Sequence, residues 1–587
     1  MLQSILIANR GEVAVRVIRA CRELGIRSIA VYSDADEGAL HVRLADEAHR
    51  LGAASASESY LDIARIIGTA KACGAEAVHP GYGLLSESAE FAEAVREAGL
   101  KFIGPSAEVI ATMGDKVAAR DAATRSGVPL LPGSEGAISD PSEALRVAEQ
   151  VGYPVVVKAC FGGGGRGMRV VSEAHTLKAA LEEAARESSA AFGRAEVYLE
   201  HYVSHARHVE VQVLGDGLGS VVHLGDRDCS VQRRHQKMIE EAPAPQLSDE
   251  LRAGLAEAAV RLAHKVGYRS AGTVEFLVDA ANEKFYFLEM NTRLQVEHGV
   301  TEMISGVDLV QCQIRVASGE PLGFAQDDVR LFGHAIQGRI SAEDPWESFR
   351  PTPGKASNLR LPLGPWLRLD FGIESGDSIP SYYDSMFGKL QAWGPSRESA
   401  RTRLSVAIET LQVGGFPTTA PYLRQVLNAP EFIEITHDTG SVERSWPPNP
   451  ALCPKNVEEL IPSKEPASVE AASERVVSLS TLTGCIEINV FGRGGAARAT
   501  RARAEDRKTV AAKADEPVSP MDGAVVAVKV KAGEVVEQGA TLVVLEAMKM
   551  EVPVLAPRAG CVEEVLIEVG QVTNRGNLLV RLSAPDA

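Results

Sequence analysis

The sequence lacks the marks of several protein classes. Its eight cysteines, at positions 21, 73, 160, 229, 312, 453, 485 and 561, form no CxxC pair. That pattern argues against a zinc site and a disulfide framework and for a reducing compartment. No run of about 18 apolar residues occurs, and Met1-Leu2-Gln3-Ser4-Ile5-Leu6-Ile7 carries no basic leader. A cytoplasmic protein without a membrane span is expected. Positive charge is in deficit, with 61 Lys and Arg against 78 Asp and Glu and a net charge of −17. Nucleic acid and anionic membrane surfaces are therefore not expected partners. Two nucleotide fingerprints are missing as well. The opening βαβ unit lacks GxGxxG, and the glycine run at 161–167 is not followed by Gly-Lys-Ser/Thr. What remains is ordinary for globular protein, at 45% hydrophobic and 24% charged. At 587 residues, roughly three to five domains are expected.

The most informative stretch is Val544-Leu545-Glu546-Ala547-Met548-Lys549-Met550-Glu551-Val552. On either side of it Pro520 and Pro557, Gly523 and Gly560, Gly533 and Gly570, and Gly539 and Gly576 are each separated by 37 residues. This is an internal duplication of one supersecondary unit. The apolar runs Val525-Val530, Leu542-Leu545, Val562-Val569 and Leu578-Leu582 are short and glycine-bounded, so they read as strands. The spacing predicts two halves packed face to face as a small β-sandwich, with Lys549 on the hairpin between them.

The N-terminal end reads as α/β. Ser4-Ala8 is a strand, Val13-Leu24 has helical spacing, Gly25 stops the helix and Ile29-Tyr32 is the next strand, so a parallel sheet is expected. Further on, Pro154-Ala159 and Met168-Val171 are strands joined by the glycine run, whose backbone N–H groups can close over phosphates. Gly272-Val278 and Lys284-Asn291 form a predicted hairpin. A turn centred on Ala281 sets Glu275 opposite Phe287, with Glu289 one pleat further on. Period-2 alternation puts Glu275, Glu289 and Asn291 on one face. Two carboxylates and an amide there make a hard, oxygen-rich site suited to Mg²⁺ or Mn²⁺ carrying nucleotide phosphates. A helix is expected over Ser399-Leu411. Residues 447–515 open with four prolines and close with an Ala/Arg/Glu-rich run. They read as a tether holding one β-hairpin, Val476-Phe491, about Gly484.

These stretches resemble a known family. Ala547-Met548-Lys549-Met550 resembles the biotinyl attachment site. Ala8-Asn9-Arg10-Gly11-Glu12, His79-Pro80-Gly81-Tyr82-Gly83, Arg227-Asp228-Cys229-Ser230, Glu289-Met290-Asn291-Thr292-Arg293 and Tyr383-Asp384-Ser385-Met386 resemble biotin carboxylase, an ATP-grasp enzyme. The resemblance implies an α/β and α+β multidomain chain. Its parts are a Rossmann-like N-terminal domain (1–113), an ATP-grasp domain (114–331), a biotin carboxylase C-terminal domain (332–446), the linker (447–515) and an all-β flattened-barrel biotinyl domain (516–584). One chain holding both activities, with no carboxyltransferase after it, is similar to the α subunit of an acyl-CoA carboxylase of the shorter actinobacterial type, which would place it in fatty acid biosynthesis.

The same resemblance implies ATP contacts at Lys116, Lys158, Gly164, Gly165, Glu200, His208, Gln232, His235, Glu275 and Glu289, and metal ligation by Glu275, Glu289 and Asn291. It implies bicarbonate binding by Lys237, Arg293, Gln295 and the backbone of Val296. Glu297 takes the place of the general base, Arg339 faces the biotin ureido oxygen, and biotin sits on Lys549. Arg19 and Glu23 match a homodimer contact. The implied partners are a biotin protein ligase and a carboxyltransferase β subunit. Three positions depart from the family pattern: Phe161 for a glycine, Gly299 for a proline and Ser341 for an asparagine. Acceptors such as pyruvate or urea stay open, as do another ATP-grasp ligase and a non-catalytic carrier scaffold. The retained charged residues weigh against the last.

Overall fold

The computed structural model describes residues 1–134, 136–138, 140–159, 168–192, 196–454, 475–481, 484–490, 516–548 and 550–583. They fall into two compact units, a large one built from Met1–Lys455 with Glu546–Val552, and a smaller one built from the rest of the C-terminal part. Among the described residues, no helix is long and apolar enough to cross a membrane.

The large unit opens with a five-stranded parallel sheet, ordered Glu47–Gly52, Arg27–Ser33, Ser4–Ile7, Ala77–His79, Lys101–Phe102. Helix Gly11–Glu23 packs on it through Val13, Val17, Ile18 and Cys21, all buried. The predicted βαβ opening is thus present. His79 ends the fourth strand, and its Nδ1 accepts from the Gly81 N–H at 3.0 Å, which folds the His79-Pro80-Gly81-Tyr82-Gly83 loop back over the sheet edge.

The centre of the unit is an eight-stranded sheet. Its order is Lys284–Asn291, Arg269–Asp279, Arg207–Asp216, Val221–Arg233, Gln236–Ala242, His334–Ser341, Met386–Gly394, Leu367–Phe371. Every pairing in it is antiparallel. The sheet runs through position 332 without a break, because His334–Ser341 hydrogen-bonds to Gln236–Ala242. Helix Arg397–Thr410, predicted as Ser399-Leu411, covers the far end. A separate three-stranded sheet, Arg169–Val171, Val155–Ala159, Val197–His201, stands beside it with helices Pro141–Val151 and Leu177–Phe192.

The C-terminal unit corrects one expectation. The two halves of the duplication do not each form a sheet that then packs on the other; they interleave. Gly523–Val528 of the first half pairs with Val572–Thr573 of the second, and Val535–Val536 of the first with Gly560–Val565 of the second. The register obeys the repeat: Gly523 pairs with Thr573 and Val536 with Gly560. The turns repeat as well, with φ of 88° and 89° at Gly533 and Gly570 and of 85° and 84° at Gly539 and Gly576, a left-handed region that favours glycine. Interleaving buries Val525, Leu542, Leu545, Val562 and Leu579 in one core, which neither half could enclose alone. Sequence periodicity also missed the strand Met550–Leu555. Lys549 itself lies outside the described residues.

In the linker, Arg475–Thr481 pairs with Gly484–Val490, and Thr481 faces Gly484. Gly484 therefore opens the returning strand. Phe491 and the run Ala496-Ala514 lie outside the described residues.

Candidate active site

The expected hairpin forms, but its register differs from the one predicted. Its turn lies between Asp279 and Lys284, where Glu283 adopts a left-handed φ of 51°. A bulge between Glu275 and Phe276 then shifts the pairing by one more residue. Glu275 consequently faces Glu289, not Phe287, and Phe287 faces Phe276. Direct opposition preserves the shared face and brings the two carboxylates closer than predicted.

The neighbouring strands extend this pair into a row. Glu275 faces Glu210, and Glu210 faces Arg227. Glu289, Glu275, Glu210 and Arg227 therefore line one level of four successive strands. Cross-strand neighbours sit about 5 Å apart, so three like charges there repel unless cations intervene. Lys237 intervenes. Its Nζ donates to Glu210 Oε2 at 2.6 Å, Glu275 Oε1 at 2.8 Å and Glu297 Oε1 at 2.7 Å. Burial alone would depress the Lys237 ammonium, but the three carboxylates hold it well above the ordinary lysine range. Burial likewise pushes Glu297 up, and Lys237 followed by Arg339 more than reverses it, so Glu297 titrates below the ordinary glutamate value.

Arg339 stands on the next strand. It donates from Nη2 to Glu297 Oε2 at 3.0 Å and from Nε to the buried Glu240 at 2.5 Å. Gln295 Nε2 and Asn291 Nδ2 donate to Glu275 Oε1 at 2.7 and 3.0 Å. Arg293 donates to Asn291 Oδ1 at 2.6 Å and to Glu87 Oε2 at 2.8 Å. His208 Nε2 lies 3.0 Å from Glu275 Oε2. Burial depresses its imidazole, but Glu275 wins and the pKa rises. Lys389, fully buried, donates to the Val296 carbonyl at 2.9 Å and lies 2.8 Å from Glu12 Oε1. The 295–297 loop is thus pinned from the C-terminal part of the sheet.

The predicted metal ligands stand on one face. Glu289 is exposed and, among the described residues, has no hydrogen-bond or ion-pair partner. Desolvation by dense surroundings and the Glu275 charge raise its carboxyl. An unpartnered carboxylate opposite a second one fits a hard divalent cation, which would relieve that repulsion. Asn291 contributes less directly, because its amide oxygen is committed to Arg293.

Lys158 pairs with Glu200 at 2.7 Å, and Arg120 bonds the other oxygen of Glu200. Lys116 and Arg120 line a cleft of about 480 Å³ with Thr124, Ser134 and Tyr198. Gln232 pairs with Lys237 across the strands, and His235 sits in the adjoining turn at a φ of 65°. Arg233 is spent on the Phe349 ring, 4.3 Å away, and Arg234 is exposed. Arg19 and Glu23 lie on the outer side of helix Gly11–Glu23. Arg19 is half exposed and 3.8 Å from Asp370, and Glu23 accepts from Gln311 at 2.7 Å. Gly164, Gly165 and Phe161 lie outside the described residues.

Sequence reading missed Glu210, Glu240, Glu87, Arg120 and Lys389, and gave no role to Arg227. One signal was present. In Arg207–Asp216 the polar residues His208, Glu210 and Gln212 alternate with Val209, Val211 and Val213, which marks a strand with a functional polar face. All six are buried.

Four family models match the chain. Biotin carboxylase N-terminal domain covers 1–110, carbamoyl-phosphate synthase L chain ATP binding domain 115–325, biotin carboxylase C-terminal domain 337–444, and biotin-requiring enzyme 516–582. The chain is 51% identical over 419 residues to biotin carboxylase of Pseudomonas aeruginosa, covering 71% of this chain and 93% of that protein. It is 47% identical over 483 residues to a pyruvate carboxylase subunit of Methanothermobacter thermautotrophicus, covering 80% and 98%. The fold matches a biotin carboxylase–βγ-ATP complex from Campylobacter jejuni at a TM-score of 0.73 and 46% identity, covering 76% of this chain and 99% of that one. It also matches the biotin carboxylase domain dimer of the Hydrogenobacter thermophilus 2-oxoglutarate carboxylase, bound to MgADP, ADP and bicarbonate, at 0.72 and 45%, covering 76% and 97%. With an ATP-binding domain, a biotin-requiring domain and this degree of likeness, the chain belongs to the biotin carboxylases, as an ATP-dependent enzyme joined to its own C-terminal biotinyl domain.

Proposed function

We propose that this chain carboxylates a biotin carried on its own Lys549 and passes the carboxyl group to a separate carboxyltransferase subunit. The observation that carries the reading is the Lys237 cluster, where one ammonium is shared by Glu210, Glu275 and Glu297 and Glu297 also meets Arg339. Bicarbonate is a poor nucleophile until its proton is removed. Glu297, held ionised by its two cations, is the base. The freed oxygen attacks the γ-phosphorus of ATP, ADP leaves, and carboxyphosphate forms. Lys237, Arg293 and Gln295, with the backbone of Val296, hold the anion. Lys116, Lys158, Gly164, Gly165, Glu200, His208, Gln232 and His235 hold the nucleotide. Glu275 and Glu289, beside Asn291, would ligate Mg²⁺ or Mn²⁺, which neutralises phosphate charge. Biotin, when attached, would supply the ureido nitrogen that takes the carboxyl group, with phosphate released from carboxyphosphate and the nitrogen's proton passing to that phosphate. Arg339, permanently cationic, sits where charge would build on the ureido oxygen.

For the acceptor we propose an acyl-CoA, such as acetyl- or propionyl-CoA. The support is the resemblance to acyl-CoA carboxylase α subunits. Arg19 and Glu23 belong to the surface proposed for a second copy, and biotin protein ligase is proposed for loading Lys549. Three measurements test the reading. Intact mass after treatment with a biotin ligase should rise by one biotin and not rise in Lys549→Ala; a lipoyl adduct would contradict the attachment. ATP hydrolysis should require bicarbonate and free biotin. The carboxyltransferase that co-purifies should act on an acyl-CoA; turnover of pyruvate or 2-oxoglutarate in its place would replace the acceptor.

A further inference from the structure

Arg227 is the most completely satisfied charged residue at the site, and it faces no solvent. A guanidinium has five N–H donors and no acceptor, and Arg227 makes five bonds. Nε donates to Glu210 Oε1 at 2.5 Å. Nη1 donates to Gln212 Oε1 at 2.7 Å and Thr301 Oγ1 at 3.0 Å. Nη2 donates to Thr273 Oγ1 at 3.1 Å and Gln295 Oε1 at 2.7 Å. Two of these bonds have directional consequences. A glutamine amide can present either end to a neighbour, but only its oxygen can face an arginine. Gln295 therefore turns its NH₂ away from Arg227, toward Glu275 Oε1 and the Lys237 side of the site. Glu210 has one oxygen taken by Arg227 and offers the other to Lys237.

We propose that Arg227 is a positioning residue for bicarbonate. It never touches the anion. It sets the amide orientation of Gln295 and, through Glu210, the seat of Lys237, so that both present N–H groups to the same place. The inference rests on the assignment of Lys237 and Gln295 to bicarbonate. A lysine would supply the charge but not the planar five-donor fork.

The test is steady-state, bicarbonate-dependent ATP hydrolysis by the full chain with free biotin. Arg227→Lys should raise KM for bicarbonate about 10-fold while KM for ATP stays within about 2-fold, the scale of one or two misdirected hydrogen bonds. Gln295→Ala should raise the bicarbonate KM as well, and the double variant should fall short of the product of the two single effects, because both lose the bond between Arg227 and Gln295. An unchanged bicarbonate KM in Gln295→Ala would remove the site assignment itself. If Gln295→Ala responds as expected and Arg227→Lys behaves as wild type, the role of Arg227 is overturned. Equal rises in both KM values, or additive effects in the double variant, would overturn it too. If Arg227→Lys does not fold, Thr273→Val is close to isosteric and deletes one of the five bonds. It should raise the bicarbonate KM about 3-fold and leave that for ATP alone; no change would overturn the proposal.

Discussion

Glu297 is kept ionised against the cost of its burial, and Lys237 is the largest of the effects in its favour. Burial disfavours the charge, Lys237 and Arg339 restore it, and Glu210 works against them. The base form therefore persists below the ordinary glutamate range, and loss of Lys237 reverses the balance. Lys237→Gln is expected to move the acid limb of the bicarbonate-dependent activity to higher pH, as well as lowering the rate. A pH–rate profile reads this directly, and an unmoved limb would detach Glu297 from Lys237. Glu289 shows the opposite sign, because desolvation and Glu275 push it up. Protons should then compete with the metal, so the magnesium concentration for half-maximal activity should rise as pH falls. Glu289→Gln should abolish that pH dependence and most turnover. Magnesium titrations at two pH values distinguish this from simple misfolding.

At the scale of elements, the site depends on the register of a sheet. The residue types of Glu275, Glu289 and Asn291, and their common face, were legible from period-2 alternation. The pairing was not, since a one-residue bulge leaves no mark in composition and shifts every partner beyond it. The row through Glu210 and Arg227 joins two hairpins, Arg207–Asp216 with Val221–Arg233 and Arg269–Asp279 with Lys284–Asn291, and only the cross-strand pairing of Glu210 with Glu275 aligns one hairpin on the other. Helix His298–Ser305 gives another case. Gly299 stands there in place of the family's proline. A β-carbon at this position would overlap Oε1 of Gln391, which is fully buried and donates from its amide nitrogen to Asp370 at 3.0 Å. Gly→Ala in a helix gains at most about 1 kcal/mol, whereas overpacking costs about 1–3 kcal/mol. Gly299→Ala should therefore destabilise the large unit despite the better helix propensity. A lowered melting temperature checks it, and an increase would mean that Gln391 repacks freely.

At the scale of the molecule, buried histidines contribute to the acid side of stability. His41 and His79 are fully buried, and burial pushes each imidazole down to about 4 from an ordinary 6.5. The unfolded chain takes up these protons first. The stabilising contribution of the neutral rings is therefore full above pH 6.5 and is lost as pH falls toward 4, by about 3 kcal/mol each. Denaturation midpoints between pH 7 and pH 4.5 should show this slope, and a flat profile would contradict it. Depressed carboxylates such as Glu241, near 2 beside His334 and Arg397, act only at lower pH. Function at this scale turns on reach. In the proposed function, Lys549 serves both Arg339 and an active site on another polypeptide. About 46 residues of flexible composition in 447–515 would span roughly 35–40 Å and keep biotin at roughly millimolar local concentration. Deleting Ala496-Ala514 should spare carboxylation of free biotin and slow the coupled acyl-CoA reaction. Equal losses in both assays would assign the segment another role.

The class of chemistry and the order of the parts can be read along the chain. The 37-residue duplication, the lysine between two methionines and the carboxylates at alternating positions are local patterns, and local patterns follow from backbone geometry within a few residues. Hence the βαβ opening, the hairpin with its paired carboxylates and the duplicated β module were all legible. Tertiary structure decided what each of these touches. It interleaved the two halves of the module, because a single core buries more apolar surface than two separate half-sheets. It carried one sheet across the expected boundary near 332. It also gathered Arg227, Lys237, Glu240 and Arg339 from three adjacent strands, and Glu297 from the start of helix His298–Ser305, into one charge-balanced cluster. Buried charges are stable only when each finds its partner in three dimensions. Such partners are selected by strand register and burial, which no local pattern along the chain encodes.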